Sequence, residues 1–264
     1  GKLPDLELDR AVAQVISSRR GVFKLHLKEI PAQTSFGFLE FCRQADAEKA
    51  KPTCVDAQEV DFWKTLPSLT NLHVAPYYAA DIPGTIFGEQ QEPTAVDGQG
   101  AAVSSSSSSS SRFPWDLSHM DNLLALVDKE IPGCTSPMLY FGMWRSMFGL
   151  HTEDKDLYSL NYLHFGQPKV WYAVPPGQAA QVRARAAELD PEDAARCPEF
   201  LRHKTTLVSP KQLKALGLTV YRCVQRQGEF VVTWPAAFHQ GFNCGANIAE
   251  ATNFASKQWL PAGQ

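Results

Sequence analysis

Tyr140-Phe141-Gly142-Met143-Trp144 opens the segment around which the fold is built, and Lys169-Val170-Trp171 closes it. Between these two runs, polar residues mix with apolar and aromatic ones from Tyr158 to Phe165. The same pattern resumes from Val170 to Val174, after Gly166-Gln167-Pro168. Aromatic and β-branched residues in short runs separated by a Gly/Pro turn favour β-strands. We therefore predict two strands joined as a β-hairpin.

Two residues of this segment, His151 and Glu153, stand two positions apart. Residues two apart in an extended strand point to the same face, so an imidazole and a carboxylate can meet at one point. A His-x-acid triplet alone is a weak signal. A second triplet, at residues 119–121, lies at the start of a helix predicted over Ser118 to Ile131, where helix capping explains it. We therefore prefer His151 and Glu153 as the metal-binding pair.

A third metal ligand has to come from a separate strand. Gly228 to Pro235 has strand character and ends shortly before His239. Two histidines and one carboxylate on one side of an ion leave its other side open, as in the facial triad of non-haem Fe(II) oxygenases. A structural zinc site would instead be closed by four ligands. The predicted metal ligands are thus His151, Glu153 and His239.

Five blocks of sequence carry a resemblance to a known family. These blocks are Leu139–Trp144, His151–Asp154, Asp156–Gly166, Phe200–Lys204 and Glu250–Ala255. In this order they resemble the Jumonji C (JmjC) histone lysine demethylases, and most closely the branch that removes trimethyl marks. The family's fold is a double-stranded β-helix, a cupin-like jelly-roll barrel whose wide mouth holds iron. The resemblance therefore implies a mainly β fold with helical additions.

We divide the chain into two parts and one insertion. Residues 1–67 are predicted to be a helix/strand extension that packs on a JmjC catalytic domain at residues 68–264. Within that domain, residues 89–112 form an insertion with eight consecutive serines, too polar to order itself. The other predicted elements are helices at 8–17, 35–41, 56–66, 177–189 and after Ser209, and strands at 22–30, 220–233 and 247–255.

Composition limits the classes of protein that this chain can belong to. With 264 residues, 44% of them hydrophobic, the chain can bury the core of one large β-rich domain. A net charge of −3 provides no broad basic field, so we expect no direct nucleic-acid binding. The six cysteines form no Cys-x-x-Cys pair, which favours reduced thiols. No apolar run approaches the ~20 residues that span a bilayer, so a soluble monomer without a membrane partner is expected.

The resemblance implies Fe(II) at the three predicted ligands and 2-oxoglutarate as cosubstrate. The far carboxylate of 2-oxoglutarate needs a cation in a partly dry pocket, and Lys169 fits that role. By resemblance, Asn161 also binds the cosubstrate and Trp171 packs beside it. The position of Phe87 is usually Tyr, whose hydroxyl would hydrogen-bond the same carboxylate. Since Phe87 lacks that hydroxyl, weaker cosubstrate binding is expected.

The resemblance also implies a methyl-lysine site and a zinc site. The residues that it assigns to the methylated substrate are Gly133, Tyr140, Glu153, Lys204, Ala251 and Thr252. Cys197 and His203 match two of four ligands of a structural zinc site in this branch. The other two ligands lie past the position that matches Gln264, so the zinc site is incomplete within this sequence.

These inferences predict a nuclear Fe(II)- and 2-oxoglutarate-dependent demethylase of a histone tail. It would hydroxylate an N-methyl group of tri- or dimethyl-lysine and release formaldehyde, succinate and CO2. Three alternatives stay open at this point. The chain could hydroxylate a side chain of a non-histone protein, demethylate another methylated amine, or act as a catalytically weak chromatin-binding module. Phe87 and the incomplete zinc site motivate the last of these.

Overall fold

Antiparallel strands arranged in two main sheets form the core of the chain. A computed structural model describes residues 5–19, 21–48, 51–87 and 116–263. The strands are β1 Glu7–Leu8, β2 Ala11–Arg19, β3 Val22–Glu29, β4 Gln33–Thr34, β5 Tyr77–Pro83, β6 Met138–Gly142, β7 Met147–His151, β8 Tyr158–Gly166, β9 Lys169–Val174, β10 Thr206–Val208, β11 Tyr221–Gln225, β12 Phe230–Thr233, β13 Phe238–Asn243 and β14 Asn247–Phe254. The helices are α1 Ser35–Glu48, α2 Val55–Thr65, α3 Ala179–Leu189, α4 Pro191–Arg196 and α5 Pro210–Ala215.

The larger sheet has eight strands in the order β10-β3-β2-β5-β6-β14-β8-β12, and the smaller has four in the order β11-β9-β13-β7. Strands β1 and β4 form a separate pair. Successive strands along the chain repeatedly change sheet, as β6 to β9 do, which is typical of a jelly roll. The predicted mainly β fold with helical additions is confirmed.

Strand β9 shows how the sheets place functional side chains inward. Because side chains alternate across a strand, Lys169 and Trp171 face a cavity enclosed by the two sheets. Their neighbours Val170 and Tyr172 point to the opposite face, where they pack with Phe62 of α2 in a buried apolar cluster. The helix thus covers the outside of the smaller sheet and leaves its inside to the cavity.

The predicted helix at residues 8–17 is wrong. That stretch is mostly strand β2, which pairs with β3 along Val12 to Arg19 and with β5 along Ala11 to Ala13. Apolar spacing in this stretch fits a helix and a strand equally well, and pairing with two neighbouring strands decides in favour of the strand. Strand β3 confirms the prediction at residues 22–30, and His26 lies on its exposed part as expected.

The predicted hairpin of the central segment is also wrong. Both strands exist, as β8 and β9, but β8 pairs with β12 and β14 whereas β9 pairs with β11 and β13. The turn at residues 166–168 therefore leads from one sheet to the other and does not join two strands that are hydrogen-bonded to each other. Gly166 adopts a φ of 98°, a left-handed conformation that glycine allows without strain.

The helix predicted from Ser118 to Ile131 is replaced by two short 3-10 turns, Leu117–His119 and Leu123–Leu126. The side chains of Asp116 and Asn122 accept hydrogen bonds from the amides of Ser118 and Leu124, so each turn starts on its own cap. Leu126 is 80% exposed, which shows that this stretch has no continuous apolar face to bury.

Other predicted elements are confirmed, with boundaries that shift by a few residues. Helices α1, α2 and α3 lie where expected, and the Ser209 side chain accepts a hydrogen bond from Gln212 at the start of α5. The stretch 220–233 contains two strands, β11 and β12, separated by a turn. The predicted division at residue 67 stays a prediction, and the serine-rich insertion lies outside the described residues. No described helix combines the length and apolar composition that crossing a membrane requires.

Close packing at Gly149 gives a first testable prediction. A Cβ added to this residue of β7 would lie 2.3 Å from the backbone oxygen of Lys204. Gly149→Ala is therefore expected to reduce the free energy of unfolding by about 1–3 kcal/mol, because the neighbouring backbone has to shift. Gly177→Ala is the control, since nothing lies within 4 Å of its added Cβ. Equal denaturation midpoints for the two variants would contradict this interpretation.

Candidate metal and cosubstrate site

Pairing of β7 with β13 brings together two histidines that are far apart in sequence. His151 and His239 are direct partners in this ladder, and their ring centroids lie 4.3 Å apart. The register shifts just beyond this pair, between His239 and Gly241, so a bulge adjoins the site. Bulges of this kind often occur beside functional sites because they redirect a side chain.

Glu153 lies just past β7 and completes the group. Its Oε1 is 3.2 Å from Nε2 of His239 and 3.9 Å from Nε2 of His151. Ligand atoms of the three residues all lie within 4.8 Å of one another, and the described residues contain no second group of three or more His, Cys, Asp or Glu side chains this close. The structure thus assembles the predicted trio.

The hydrogen bonds of the two imidazoles suit metal binding. Nδ1 of His151 lies 2.7 Å from the backbone oxygen of Gly149, and Nδ1 of His239 lies 3.0 Å from that of Ala237. When Nδ1 donates its proton to a carbonyl, Nε2 keeps a lone pair, and here Nε2 of both rings faces Glu153. The donor set of two imidazoles and one carboxylate therefore fits Fe(II) and leaves coordination positions open.

Burial and neighbouring groups shift the pKa values of two of the three residues. Burial, and then His239 and Lys204, lowers the pKa of His151 to about 3, so its imidazole is neutral. Burial raises the pKa of Glu153, but the neighbouring His239, His151 and Lys204 together outweigh it, so the net shift is downward and favours the carboxylate. The Nδ2 group of Asn253 donates to the second oxygen of Glu153 at 3.1 Å and fixes the carboxylate.

Lys169 is buried in the same cavity, with 2% of its surface exposed. Its Nζ donates to Oδ1 of Asn243 at 2.6 Å, and the described residues place no carboxylate in an ion pair with it. Burial lowers the pKa of Lys169 to about 7. A buried ammonium without an anionic partner is costly, which favours an anion from outside in this cavity of about 230 Å³.

A hydrogen-bonded network orients the other two predicted cosubstrate residues. Trp171 Nε1 donates to Oε1 of Gln225 at 2.9 Å, and Gln225 Nε2 donates to Oδ1 of Asn161 at 3.0 Å. With its Oδ1 engaged by Gln225, Asn161 can present its amide hydrogens to a ligand. Asn161 and Trp171 both line the cavity that contains Lys169.

Phe87 is the one predicted cosubstrate residue that the structure does not bring to this cavity. Phe87 does not line the cavity; its ring packs 5.2 Å from Tyr162 and 4.7 Å from His164. Near Lys169 the cavity is instead lined by Tyr78 of β5, whose ring lies 5.9 Å from Nζ of Lys169. Burial, and then Asp81, holds the pKa of Tyr78 well above its ordinary value, so its hydroxyl remains a donor. The expected effect of Phe87 on cosubstrate affinity stays a prediction.

All six residues assigned to the methylated substrate border the same cavity. They are Gly133, Tyr140, Glu153, Lys204, Ala251 and Thr252. Three of them lie on β6 and β14 of the larger sheet and the other three on loops, so only the tertiary structure brings them together. Their roles toward a substrate stay predictions.

Cys197 and His203 gain no third potential ligand among the described residues. His203 borders the cavity, whereas Cys197 packs against an apolar cluster formed largely by α3 and the turn Phe200–His203. The zinc site accordingly stays a prediction.

Sequence reasoning missed three side chains in this site. Tyr78 and Asp81 lie in the stretch 73–87, in which Phe87 was the predicted cosubstrate residue. Asn253 directly follows the two predicted substrate residues of β14. For Asn253 a signal existed, because residues two apart on a strand share a face and Ala251 was already assigned to the site.

Comparisons with known proteins agree with this geometry. Residues 138–254 match the family model described as "JmjC domain, hydroxylase". The chain is 38% identical over 259 residues to lysine-specific demethylase 4D of Rattus norvegicus, covering 95% of this chain and 45% of that protein. It is 36% identical to probable lysine-specific demethylase 4F of Homo sapiens and 35% identical to lysine-specific demethylase 4B of Mus musculus, in both cases over 99% of this chain. Those matches cover 38% and 22% of the two relatives, so the chain spans less than half the length of each.

Proposed function

Because this chain belongs to the JmjC hydroxylase family, we propose that it is a 2-oxoglutarate-dependent oxygenase that removes methyl groups from histone lysine. One observation carries the proposal. A single cavity contains a His-Glu-His trio suited to Fe(II) and a buried lysine suited to a dicarboxylic acid. The reaction class is proposed from the names of the relatives, and the residues that would carry it out are proposed from the lining of the cavity.

His151, Glu153 and His239 would hold the iron on one side. When bound, Fe(II) with 2-oxoglutarate and dioxygen supplies the oxidising power that hydroxylates an N-methyl group. The protein's own contribution is to keep the His151 imidazole neutral, to fix the Glu153 carboxylate through Asn253, and to leave the other side of the ion accessible.

Lys169 would pair with the far carboxylate of 2-oxoglutarate, with Tyr78 as a second donor. Asn161, held by Gln225, would bind the cosubstrate from the larger sheet, while Trp171 forms a wall of the cavity. Burial of these groups strengthens each electrostatic contact because water is largely excluded. This arrangement selects a short dicarboxylic acid over a monocarboxylic one.

The methylated lysine would enter beside Tyr140 and the backbone of Gly133. An aromatic wall and oxygen atoms that accept weak C–H hydrogen bonds favour a diffuse methylammonium over a compact ammonium. We propose tri- or dimethyl-lysine of a histone tail as the substrate, the nucleus as its location, and formaldehyde, succinate and CO2 as co-products. The assembled trio of His151, Glu153 and His239 supports a catalytic role over a non-catalytic module.

Mass spectrometry of trimethylated histone-tail peptides tests this function. Peptides incubated with the protein, Fe(II), 2-oxoglutarate and ascorbate are expected to lose one or two methyl groups from at least one lysine. Formaldehyde should form in equal amount to the methyl groups lost. Unchanged masses across the panel would contradict demethylation, and hydroxylation of another side chain without loss of methyl would favour a protein hydroxylase.

The buried lysine predicts a pH dependence of cosubstrate binding. The 2-oxoglutarate dianion pairs with the protonated form of Lys169, whose pKa is about 7 in the free protein. Binding is therefore strongest below pH 7, and above it the dissociation constant should rise by up to about tenfold per pH unit, since a proton must be taken up.

Calorimetric titration of the Mn(II)-loaded protein measures this dependence without turnover. The control is Lys169→Arg, because a guanidinium stays protonated throughout this range and its curve should lack the slope. A wild-type dissociation constant that stays flat between pH 6.5 and about pH 9 would show that Lys169 does not titrate on binding.

A further inference from the structure

Strand β5 carries one extra residue where it faces β6. Ala79 pairs with Phe141 and Ile82 with Leu139, so Ala80 and Asp81 together oppose the single residue Tyr140. Such a bulge redirects the side chains of the bulged strand. Here the redirected carboxylate is that of Asp81, and it faces the cavity.

The backbone at Asp81 supports a specific role for the bulge. Asp81 has a φ of 56°, in the left-handed region that few residues other than glycine adopt. Aspartate and asparagine are the side chains that tolerate this conformation best. Strain of this kind clusters at functional sites, where the surrounding structure maintains it.

The contact that results joins Asp81 to a predicted substrate residue. The Tyr140 hydroxyl donates to Oδ1 of Asp81 at 2.9 Å. Burial, and then the Asp81 carboxylate, keeps the pKa of Tyr140 well above its ordinary value, so the phenol remains the donor. Because the only phenolic proton is directed to Asp81, the oxygen lone pairs are free to face the cavity.

The charges that line the cavity add a second reason. Its described lining contains two carboxylates, Asp81 and Glu153, and two lysines, Lys169 and Lys204. Glu153 is committed to the metal trio, which leaves Asp81 as the carboxylate that can offset Lys204 for an incoming cation.

We infer that Asp81 is a positioning residue for substrate cations. It accepts the hydrogen bond of the Tyr140 hydroxyl, so that the phenolic oxygen presents its lone pairs and an increased partial negative charge to a quaternary ammonium. This inference rests on the proposed function, because it assumes that a methylated lysine enters beside Tyr140. The bulge in β5 would thereby give the substrate site its preference for a charged side chain over a neutral side chain of the same shape.

Two probes test this inference by binding alone. One is a Gly-Lys-Gly tripeptide with a trimethylated lysine, and the other replaces its quaternary nitrogen by carbon to give a neutral tert-butyl group. Binding is measured by NMR titration of protein loaded with Mn(II) and 2-oxoglutarate. The substitution is Asp81→Asn, which keeps the shape and tolerates the left-handed backbone. Asp81→Asn should weaken binding of the charged probe about fivefold and that of the neutral probe less than twofold.

A double-substitution cycle separates positioning from direct attraction. If Asp81 acts through the phenol, Asp81→Asn should change binding of the charged probe less than twofold in a Tyr140→Phe background. An equal loss for both probes would indicate a merely structural role and overturn the inference. An undiminished loss in the Tyr140→Phe background, or a wild type without preference for the charged probe, would also overturn it. The histone-peptide assay fails or succeeds independently, since these probes contain no histone sequence.

Discussion

His239→Ala is expected to reduce demethylation at least about a thousandfold. Removing a residue that only supports a metal ligand typically costs 10- to 100-fold, and His239 is itself one of the three proposed ligands. Its loss leaves one imidazole and one carboxylate at the site. Two ligands hold the ion more weakly than three.

The matched control for this substitution is His26→Ala. His26 lies exposed on β3, where its Nε2 contacts the Ser17 hydroxyl at 2.7 Å, far in sequence from the trio. Its replacement should leave turnover within about twofold, as is usual for surface positions. Turnover is followed by formaldehyde release under saturating Fe(II). Retention of more than a tenth of the activity by His239→Ala would show that this residue is not an essential ligand.

Lys169→Met should separate cosubstrate binding from stability. Loss of the ammonium removes the charge that pairs with 2-oxoglutarate, so its affinity is expected to fall at least about a hundredfold. The same change replaces a buried, unpaired cation by an apolar chain of similar length. Asn243 Oδ1, which loses the hydrogen bond from Lys169, still accepts one from Asn247 Nδ2 at 2.9 Å, so this buried acceptor keeps a donor in the variant.

The free energy of unfolding of Lys169→Met should therefore stay the same or rise by about 1–3 kcal/mol. Chemical denaturation and calorimetric titration measure the two effects on the same samples. Lys28→Met, at an exposed position of β3, should leave both quantities nearly unchanged. Normal binding of 2-oxoglutarate by Lys169→Met would contradict the assignment of Lys169 as the anion-binding residue. Strong destabilisation of the variant would contradict the claim that the buried charge lowers the stability of the wild type.

The local sequence pattern was enough to predict the three candidate metal ligands, but it did not predict how the strands that carry them pair. The prediction that His151 and Glu153 act together uses only their two-residue spacing and the geometry of an extended strand. An open facial triad then requires only one more histidine. The choice of partner strands depends on tertiary pairing. For this reason β8 and β9 were predicted as a hairpin although they belong to different sheets.

The cosubstrate pocket shows the same limit at single residues. Lys169 was predicted because the family resemblance added a role to the electrostatic need for a buried cation; the sequence alone also fits a surface lysine beside a turn. Assigning Phe87 required knowing which residues of the stretch 73–87 face inward. In the structure Tyr78 lines the cavity and Phe87 does not, and the bulge after Tyr78 directs Asp81 to Tyr140. A single extra residue in a strand reverses the facing of everything beyond it, which no periodic pattern reveals.

Anaerobic equilibrium dialysis against limiting Fe(II) tests the central claim most directly. The convergence of His151, Glu153 and His239 predicts one Fe(II) per chain, bound more tightly when 2-oxoglutarate is present because both then hold the same ion. Binding should disappear in a variant that replaces all three residues by alanine. One ion retained with unchanged affinity by that variant, or no effect of 2-oxoglutarate on the wild type, would contradict the claim.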